Sequence, residues 1–392
     1  MKDNRPVVVI VCNAIDDATR IKRQIFSDSP AATKKVFQMC EALQLAGVRP
    51  YVFSLGRGRV KGTIEFYPSE VARVNKIITI YAPFWHLKGL SQIGTLIGLV
   101  RPLRRLSNHK QKVVIFYNCA VGYLGLLGSA SLLGYRTVLD LEDGNLQDGS
   151  IFRRTGAYLV SALFNFFCKD GALLACSALS EQIKNRRTHL YYGAVSSPVF
   201  LNSFQSKTIR CLLAGTLEPE TGAVLLLDVI KRLRTEKPVW ASKICFDITG
   251  VGESKKYFEE LAGEPGFPAL HVHGRLNDSN YTEVLRGVNV GLALKPVGGP
   301  LADTTFPSKV IEFASHGLLV VSTDISDVRQ LLGNGARYLR DNQPETLIRI
   351  LHEIILNPAA AAETASNGRD AVEIKCSRMR AGADLVRFIC GK

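Results

Sequence analysis

The sequence predicts an α/β protein made of two doubly wound parallel-sheet domains, and three observations carry that prediction. The chain has 392 residues, enough for two domains of ordinary size with separate cores. Short runs rich in Val and Ile alternate with longer segments whose apolar residues recur at helical spacing, the grammar of parallel strands covered on both faces. In the polar stretch "YYGAVSSPVFLNSFQSK" that alternation stops, and it restarts at "TIRCLLAGTL". The boundary is set near residue 205, giving a domain over 1–205 and a second over 206–374, with a last helix at about 375–392 that can pack back onto the first.

The elements follow in order. "PVVVIVCN" is the first core strand: its apolar run is too short for a signal sequence and is followed by acids with no small-residue cleavage site. A helix over "AATKKVFQMCEALQLAG" leads to the strands "RPYVFSLG" and "KIITIYA". The helix "SQIGTLIGLVRPLRRLS" precedes "KVVIFYN", and the helix "GYLGLLGSASLLG" precedes "RTVLDLED". An apolar helix from Phe152 then leads to "GALLACS". The second half repeats the pattern: "TIRCLLAG", a helix from Gly222, "KICFDITGVG", a helix from Ser254, "ALHVHGRL", a helix from Asn280, "VNVGLALKP", a short helix in "FPSKVIEFASHG", and "LLVVSTD". Each half reads as a Rossmann-like unit. Such sheets bind ligands beyond the carboxyl ends of their strands, so the expected site is a cleft between the two.

Charge narrows the partner. There are 49 Lys and Arg against 35 Asp and Glu, a net charge of +14, which favours an anionic partner such as nucleotide phosphate, anionic lipid or nucleic acid. The basic residues lack the interleaved aromatics of a nucleic-acid surface, so no nucleic-acid partner is expected. The nine cysteines form no Cys-x-x-Cys pair and lie mostly in apolar runs, as reduced, buried thiols of a cytosolic protein do. No uncharged apolar stretch reaches membrane-spanning length. "GLSQIGTLIGLVRPLRRLSNHKQK" joins an apolar run to Arg101, Arg104, Arg105, Lys110 and Lys112. With the apolar "YLVSALFNFF" it reads either as sheet-covering helix or as contact with an anionic membrane surface.

Chemistry-bearing residues concentrate after strands. In "FPSKVIEFASHG", Pro307 stands where a first helical residue lacks an amide hydrogen at no cost. The helix start beside Ser308 and Lys309 suits a phosphate, and Glu312 lies a turn further in, within reach of a polyol. Arg275 follows "ALHVHG" and is a second candidate cation, or a surface turn residue. Gly250-Val251-Gly252 is a lone Gly-x-Gly after a strand. Glu142 and Asp143 end "RTVLDLED", where a carboxylate orients a hydroxyl, acts as a base, or merely caps a helix. His271 and His273 share one face of a strand with no third ligand spaced nearby, so core packing is expected there rather than metal. No Gly-x-Ser-x-Gly elbow is present, which removes support for a hydrolase triad.

"FPSKVIEFASHGLLVVSTD" resembles the C-terminal signature of GT-B glycosyltransferases, in particular the retaining family 4 or group 1 enzymes. "LLAGTLEPETG" resembles the opening of that family's donor domain, and "HVHGRLNDSNYTEVLRGVNVGLALKP" its base-binding region. The resemblance implies that Glu312 binds the ribose hydroxyls as the second glutamate of a Glu-x7-Glu motif. The first glutamate would fall at Thr304, beside Asp303, so the contact to the donor hexose is altered. Where the family supplies an arginine and a lysine to the diphosphate, this chain has Thr216 and Thr221. The burden of stabilising the leaving pyrophosphate therefore passes to Lys309, with Ser308, and then to Arg275. At Glu142-Asp143 the family often has His-Asp contacting the donor sugar.

The resulting expectation is a metal-independent, retaining transferase with no cofactor. It moves a sugar from a nucleoside diphosphate sugar to a glycan or lipid-linked acceptor in bacterial polysaccharide or glycoconjugate synthesis, in the cytoplasm or on the inner membrane face. Two alternatives stay open: a non-catalytic sugar-nucleotide-binding protein, suggested by Thr216, Thr221 and Thr304, and an inverting transferase or epimerase on the same fold.

Overall fold

The computed structural model describes residues 5–60, 65–85, 88–144, 151–183, 186–196, 204, 206–299 and 302–391. The chain divides into two compact units, residues 1–194 with 378–392, and residues 195–377. Position 205, where the sequence suggested the boundary, lies outside the described residues; the division falls between Ala194 and Val195.

The first unit is built on an eight-stranded sheet. Its strands are β1 (Val7–Cys12), β2 (Arg49–Ser54), β3 (Glu70–Val74), β4 (Ile77–Tyr81), β5 (Lys112–Tyr117), β6 (Arg136–Leu141), β7 (Gly171–Leu174) and β8 (Thr188–Leu190), in the order β8-β7-β6-β5-β1-β2-β4-β3. All neighbours are parallel except β3 and β4, which form a hairpin. The hairpin turns at Asn75 and Lys76, both at positive φ (48° and 67°), the geometry that matches a two-residue turn to the twist of its strands. β1 carries only Val, Ile and Cys because it is central and covered on both faces, and every residue of it is buried. Helices α1 (Asp17–Lys22), α2 (Pro30–Leu45), α3 (Lys88–Leu106), α4 (Leu124–Leu132) and α5 (Ile151–Phe167) complete the crossovers.

The second unit is a six-stranded, wholly parallel sheet of β9 (Ile209–Thr216), β10 (Ile244–Val251), β11 (Ala269–Gly274), β12 (Val290–Ala293), β13 (Leu319–Thr323) and β14 (Ala336–Leu339), in the order β11-β10-β9-β12-β13-β14. Its helices are α6 (Ala223–Glu236), α7 (Lys255–Gly263), α8 (Asp278–Gly287), α9 (Lys309–Ser315), α10 (Val328–Leu332), α11 (Pro344–Leu356) and α12 (Pro358–Cys376). Leu213, Phe246 and Ile248 from the sheet pack with Leu226, Ile230, Phe258 and Leu351 from the helices in one buried core.

The final helix, α13 (Arg378–Cys390), belongs to the first unit and packs on α2. Gly382 makes that possible: a Cβ there would lie 2.2 Å from the Ala42 carbonyl oxygen, so only glycine lets the two backbones come this close. Arg378 adds an ion pair to Glu41 at 2.7 Å.

In both sheets the strand order reverses at the centre, between β1 and β5 and between β9 and β12. The carboxyl ends of those strands are where an open α/β sheet leaves a crevice for a ligand.

Candidate functional site

In the second unit the residues singled out from the sequence all follow strands. Thr216 ends β9, Gly252 follows β10, Arg275 follows β11, and Asp303, Thr304 and Ser308 lie between β12 and α9, which starts at Lys309. All therefore belong to the carboxyl edge of the sheet, where this fold class binds its ligands. Glu312 sits inside α9 and is 7% exposed, while Val310, Phe313 and Ala314 of the same helix are buried in the core.

Lys309 and Glu312 are three residues apart on α9, so they share a face and form an ion pair. Tyr281 of α8 joins them. Its hydroxyl donates to Glu312 Oε2 at 3.1 Å, Lys309 Nζ lies 3.0 Å from that hydroxyl, and the ammonium stands 4.6 Å from the ring centroid. Burial, and then the Glu312 charge, push the phenol well above its ordinary range, so Tyr281 stays a donor. A nearly buried carboxylate is thus met by a cation and a hydroxyl donor. Lys309 was expected to face a diphosphate; here it is also the partner of Glu312.

The glycine turn and the loop after β9 are committed to one another. Thr221 Oγ1 donates to the Thr216 carbonyl at 2.6 Å and accepts from the Glu218 amide at 3.1 Å. A Cβ on Gly252, whose φ is +153°, would lie 2.4 Å from the Leu217 carbonyl oxygen. The space that glycine leaves at 252 is filled by the chain's own backbone. Thr216, Arg275, Asp303 and Ser308 are exposed, and Thr304 is half-buried. Ser308 stands at the N-cap of α9 without a capping hydrogen bond from its side chain.

In the first unit, Glu142 follows β6 and pairs with Lys35 of α2, with both side chains nearly buried (13% and 9% exposed). Lys35 also donates to the Tyr191 carbonyl at 3.3 Å, and the Glu142 amide donates to Asn118 Oδ1 at 2.8 Å. Asp140, one pleat earlier on β6, is wholly buried. Burial and the adjacent Glu142 charge raise its pKa well above the ordinary carboxylate range, which Lys35 only partly opposes. Two carboxyl groups thus share one ammonium at a strand end. Asp143 is exposed beside them. Lys35 was not picked out from the sequence. Its helix repeats buried residues at Lys35, Met39, Ala42 and Leu43, so a lysine on the apolar stripe was the available signal.

Two readings need correction. His271 and His273 are not core residues without further ligands nearby: His271 is exposed, and Cys245 and Asp247 of β10 lie beside it. The spacing along the chain hides this because the partners come from the neighbouring strand. Lys112 is not part of a basic surface, since it starts β5, is half-buried, and donates to the Ser107 carbonyl at 2.6 Å. Arg101, Arg104, Arg105 and Lys110 are exposed on and just after α3. Ile97 on α3 (72%) and Tyr158 and Phe166 on α5 (71% and 74%) are exposed apolar residues of the same unit. Among the described residues no helix is long and apolar enough to cross a membrane.

Residues 208–357 match the family model described as Glycosyl transferases group 1. The search of curated proteins found no match. Among solved structures, the chain is similar to sucrose-phosphate synthase from Thermosynechococcus elongatus (13% identity, 97% of each chain covered, TM-score 0.67). It is similar to Anabaena HepE in complex with UDP-glucose (11% identity, 98% of this chain and 100% of that one, TM-score 0.67). A third is the E. coli trehalose-6-phosphate structure bound with UDP-2-fluoro glucose (12% identity, 98% and 99%, TM-score 0.64). The resemblance read from the sequence therefore stands: the second unit carries the group 1 domain, and the whole chain has the GT-B fold.

Proposed function

We propose that the chain, a glycosyltransferase by its family match and its fold, moves a hexosyl group from a uridine diphosphate sugar to a glycan or lipid-linked hydroxyl. The observation that carries this reading is the Lys309–Glu312–Tyr281 cluster at the carboxyl edge of the second sheet, inside the matched stretch. A carboxylate there accepts hydrogen bonds from the two ribose hydroxyls of a nucleotide. In this reading Lys309, one turn ahead, and Arg275, after β11, meet the diphosphate. The bond from the sugar C1 to the β-phosphate oxygen breaks with negative charge growing on the departing UDP, and fixed cations lower the barrier by meeting that charge. With Lys309 and Arg275 in that role the transfer proceeds without a metal, and the acceptor enters with retention at C1. The uridine base is suggested by the UDP and UDP-glucose complexes of the HepE structures.

Glu142, anchored by Lys35, orients the acceptor hydroxyl, with Asp143 beside it, and the acceptor proton passes to the departing phosphate oxygen on the same face of the sugar. The exposed apolar residues of α5 and the basic end of α3 suit an anionic inner membrane face carrying a lipid-linked acceptor of polysaccharide or glycoconjugate synthesis. A second reading, a sugar-nucleotide-binding protein without turnover, is favoured by Thr216, Thr221 and Thr304 standing where the family carries an arginine, a lysine and a glutamate.

Calorimetry with UDP, GDP and ADP tests the donor assignment. UDP should bind best, and Glu312→Ala should weaken it by about 1.5–3 kcal/mol, the worth of hydrogen bonds to a charged group. Equal affinity in the folded variant removes Glu312 from the donor site. Release of UDP from UDP-glucose, in the presence of chelator and a lipid-linked acceptor, separates transfer from mere binding.

A further inference from the structure

The second unit carries a cluster that the transfer reaction does not use. Alternation along β9, β10 and β11 sends Cys211, Leu213, Phe246, Ile248 and Leu270 into the helix-covered core. The opposite face then presents Arg210, Cys245, Asp247, His271 and His273. β11 is an edge strand, so this corner of the sheet is only partly covered: the His271 side chain is 52% exposed and that of His273 28%, while the Asp247 side chain is fully buried. Cys245 and Asp247 occupy the amino-terminal half of β10, whereas the donor-site candidates follow the strands' carboxyl ends.

Cys245 Sγ lies 3.5 Å from His271 Nδ1, and that nitrogen lies 3.6 Å from Asp247 Oδ1. One ligand atom from each of these three side chains falls within 4.8 Å of the others. Zinc bonds of about 2.3 Å to sulfur and about 2.0 Å to nitrogen or oxygen, set at tetrahedral angles, place neighbouring ligand atoms about 3.3–3.6 Å apart. The two spacings from His271 Nδ1, 3.5 Å and 3.6 Å, fall in that range. His273 Nε2 stands 2.8 Å from the same Asp247 Oδ1, as a hydrogen-bond partner of the carboxylate. Arg210 Nε donates to the other carboxylate oxygen, Oδ2, at 2.9 Å, the kind of outer hydrogen bond that orients a ligating carboxylate. Arg210 also contacts Oδ1, at 2.6 Å, and that second bond gives way when Oδ1 takes a cation.

We propose that Cys245, Asp247 and His271, with a solvent molecule in the fourth position, form a zinc-binding site that ties edge strand β11 to β10. Sulfur and imidazole donors select a borderline-soft ion over magnesium or calcium. On binding, the zinc–sulfur bond forms as the thiol proton leaves to solvent. The site is structural and stands apart from the transfer chemistry.

Zinc titrated calorimetrically into the chelator-stripped, full-length protein should bind with one equivalent, and should raise the unfolding temperature. His271→Ala, an exposed position whose loss leaves the core intact, should weaken binding at least tenfold and abolish the thermal shift. Cys245→Ser should do the same. Cobalt(II) loaded in place of zinc should show tetrahedral d–d absorption and a thiolate charge-transfer band that Cys245→Ser removes and Cys119→Ser, at another thiol, keeps. The proposal is overturned if the parent takes up no equivalent, or if the cobalt spectrum survives Cys245→Ser or His271→Ala.

Discussion

Glu312 is nearly buried and both Lys309 and Tyr281 donate to it, so removing either leaves its charge more costly to bury. Lys309→Met therefore weakens UDP binding even if the lysine never touches phosphate, and the single variant does not separate the two roles. Placing Lys309→Met in a Glu312→Gln background does, because the neutral amide needs no counter-charge. If Lys309 meets the departing diphosphate, turnover in that background still falls, by about 2.7–4 kcal/mol in the barrier, and Arg275→Met costs less. No further loss would reduce Lys309 to a holder of Glu312. The Lys35–Glu142 pair follows the same logic in the first unit. Lys35→Met leaves Glu142 and the buried Asp140 without their cation, and should destabilise the protein by about 3–5 kcal/mol in urea unfolding. A shift in the urea midpoint within error would mean that water supplies what the lysine does here.

The start of α1 shows how one cap ties an element to its sheet. Asp16 accepts from the amides of Ala18 at 3.1 Å and Thr19 at 3.3 Å, and from the Tyr81 hydroxyl, at the end of β4, at 2.6 Å. Burial alone would raise this carboxyl, but the hydrogen bonds from Thr19 and Tyr81 outweigh it and hold Asp16 below its ordinary range. A native pKa below the unfolded one means that the native state binds fewer protons. The stabilisation is fully present above the unfolded value of about 3.9 and is lost as pH falls through the lower native value. Asp16→Ala should cost about 1 kcal/mol at neutral pH, as cap removals do. Melting temperatures of parent and variant, measured downward from about pH 5, should converge in acid. A gap that persists unchanged at low pH would show that packing rather than the charge carries the effect.

Across the whole chain the net charge of +14 is not spread evenly in its consequences. Arg101, Arg104 and Arg105 stand exposed on α3 in the unit that also exposes Ile97, Tyr158 and Phe166. Replacing the three arginines by serine should lower sedimentation with anionic vesicles, at about 1 kcal/mol per cation, while leaving turnover on a soluble acceptor analogue. Equal pelleting would move the membrane contact elsewhere. By itself the sequence determined the α/β class and most of the strands and helices, though not β3, β8, β14, α1, α10 or α11. It also placed the donor-side candidates after strands and put Lys309 beside Glu312, because period two, helical period and an i,i+3 spacing are all local properties. Only the tertiary structure decided that Lys35 reaches Glu142 across 107 positions and that Tyr281 closes on Glu312 across 31. It alone decided that His271 meets Cys245 and Asp247. Those meetings depend on strand order, register and crossover, which bring distant segments side by side and leave no period in the chain to read.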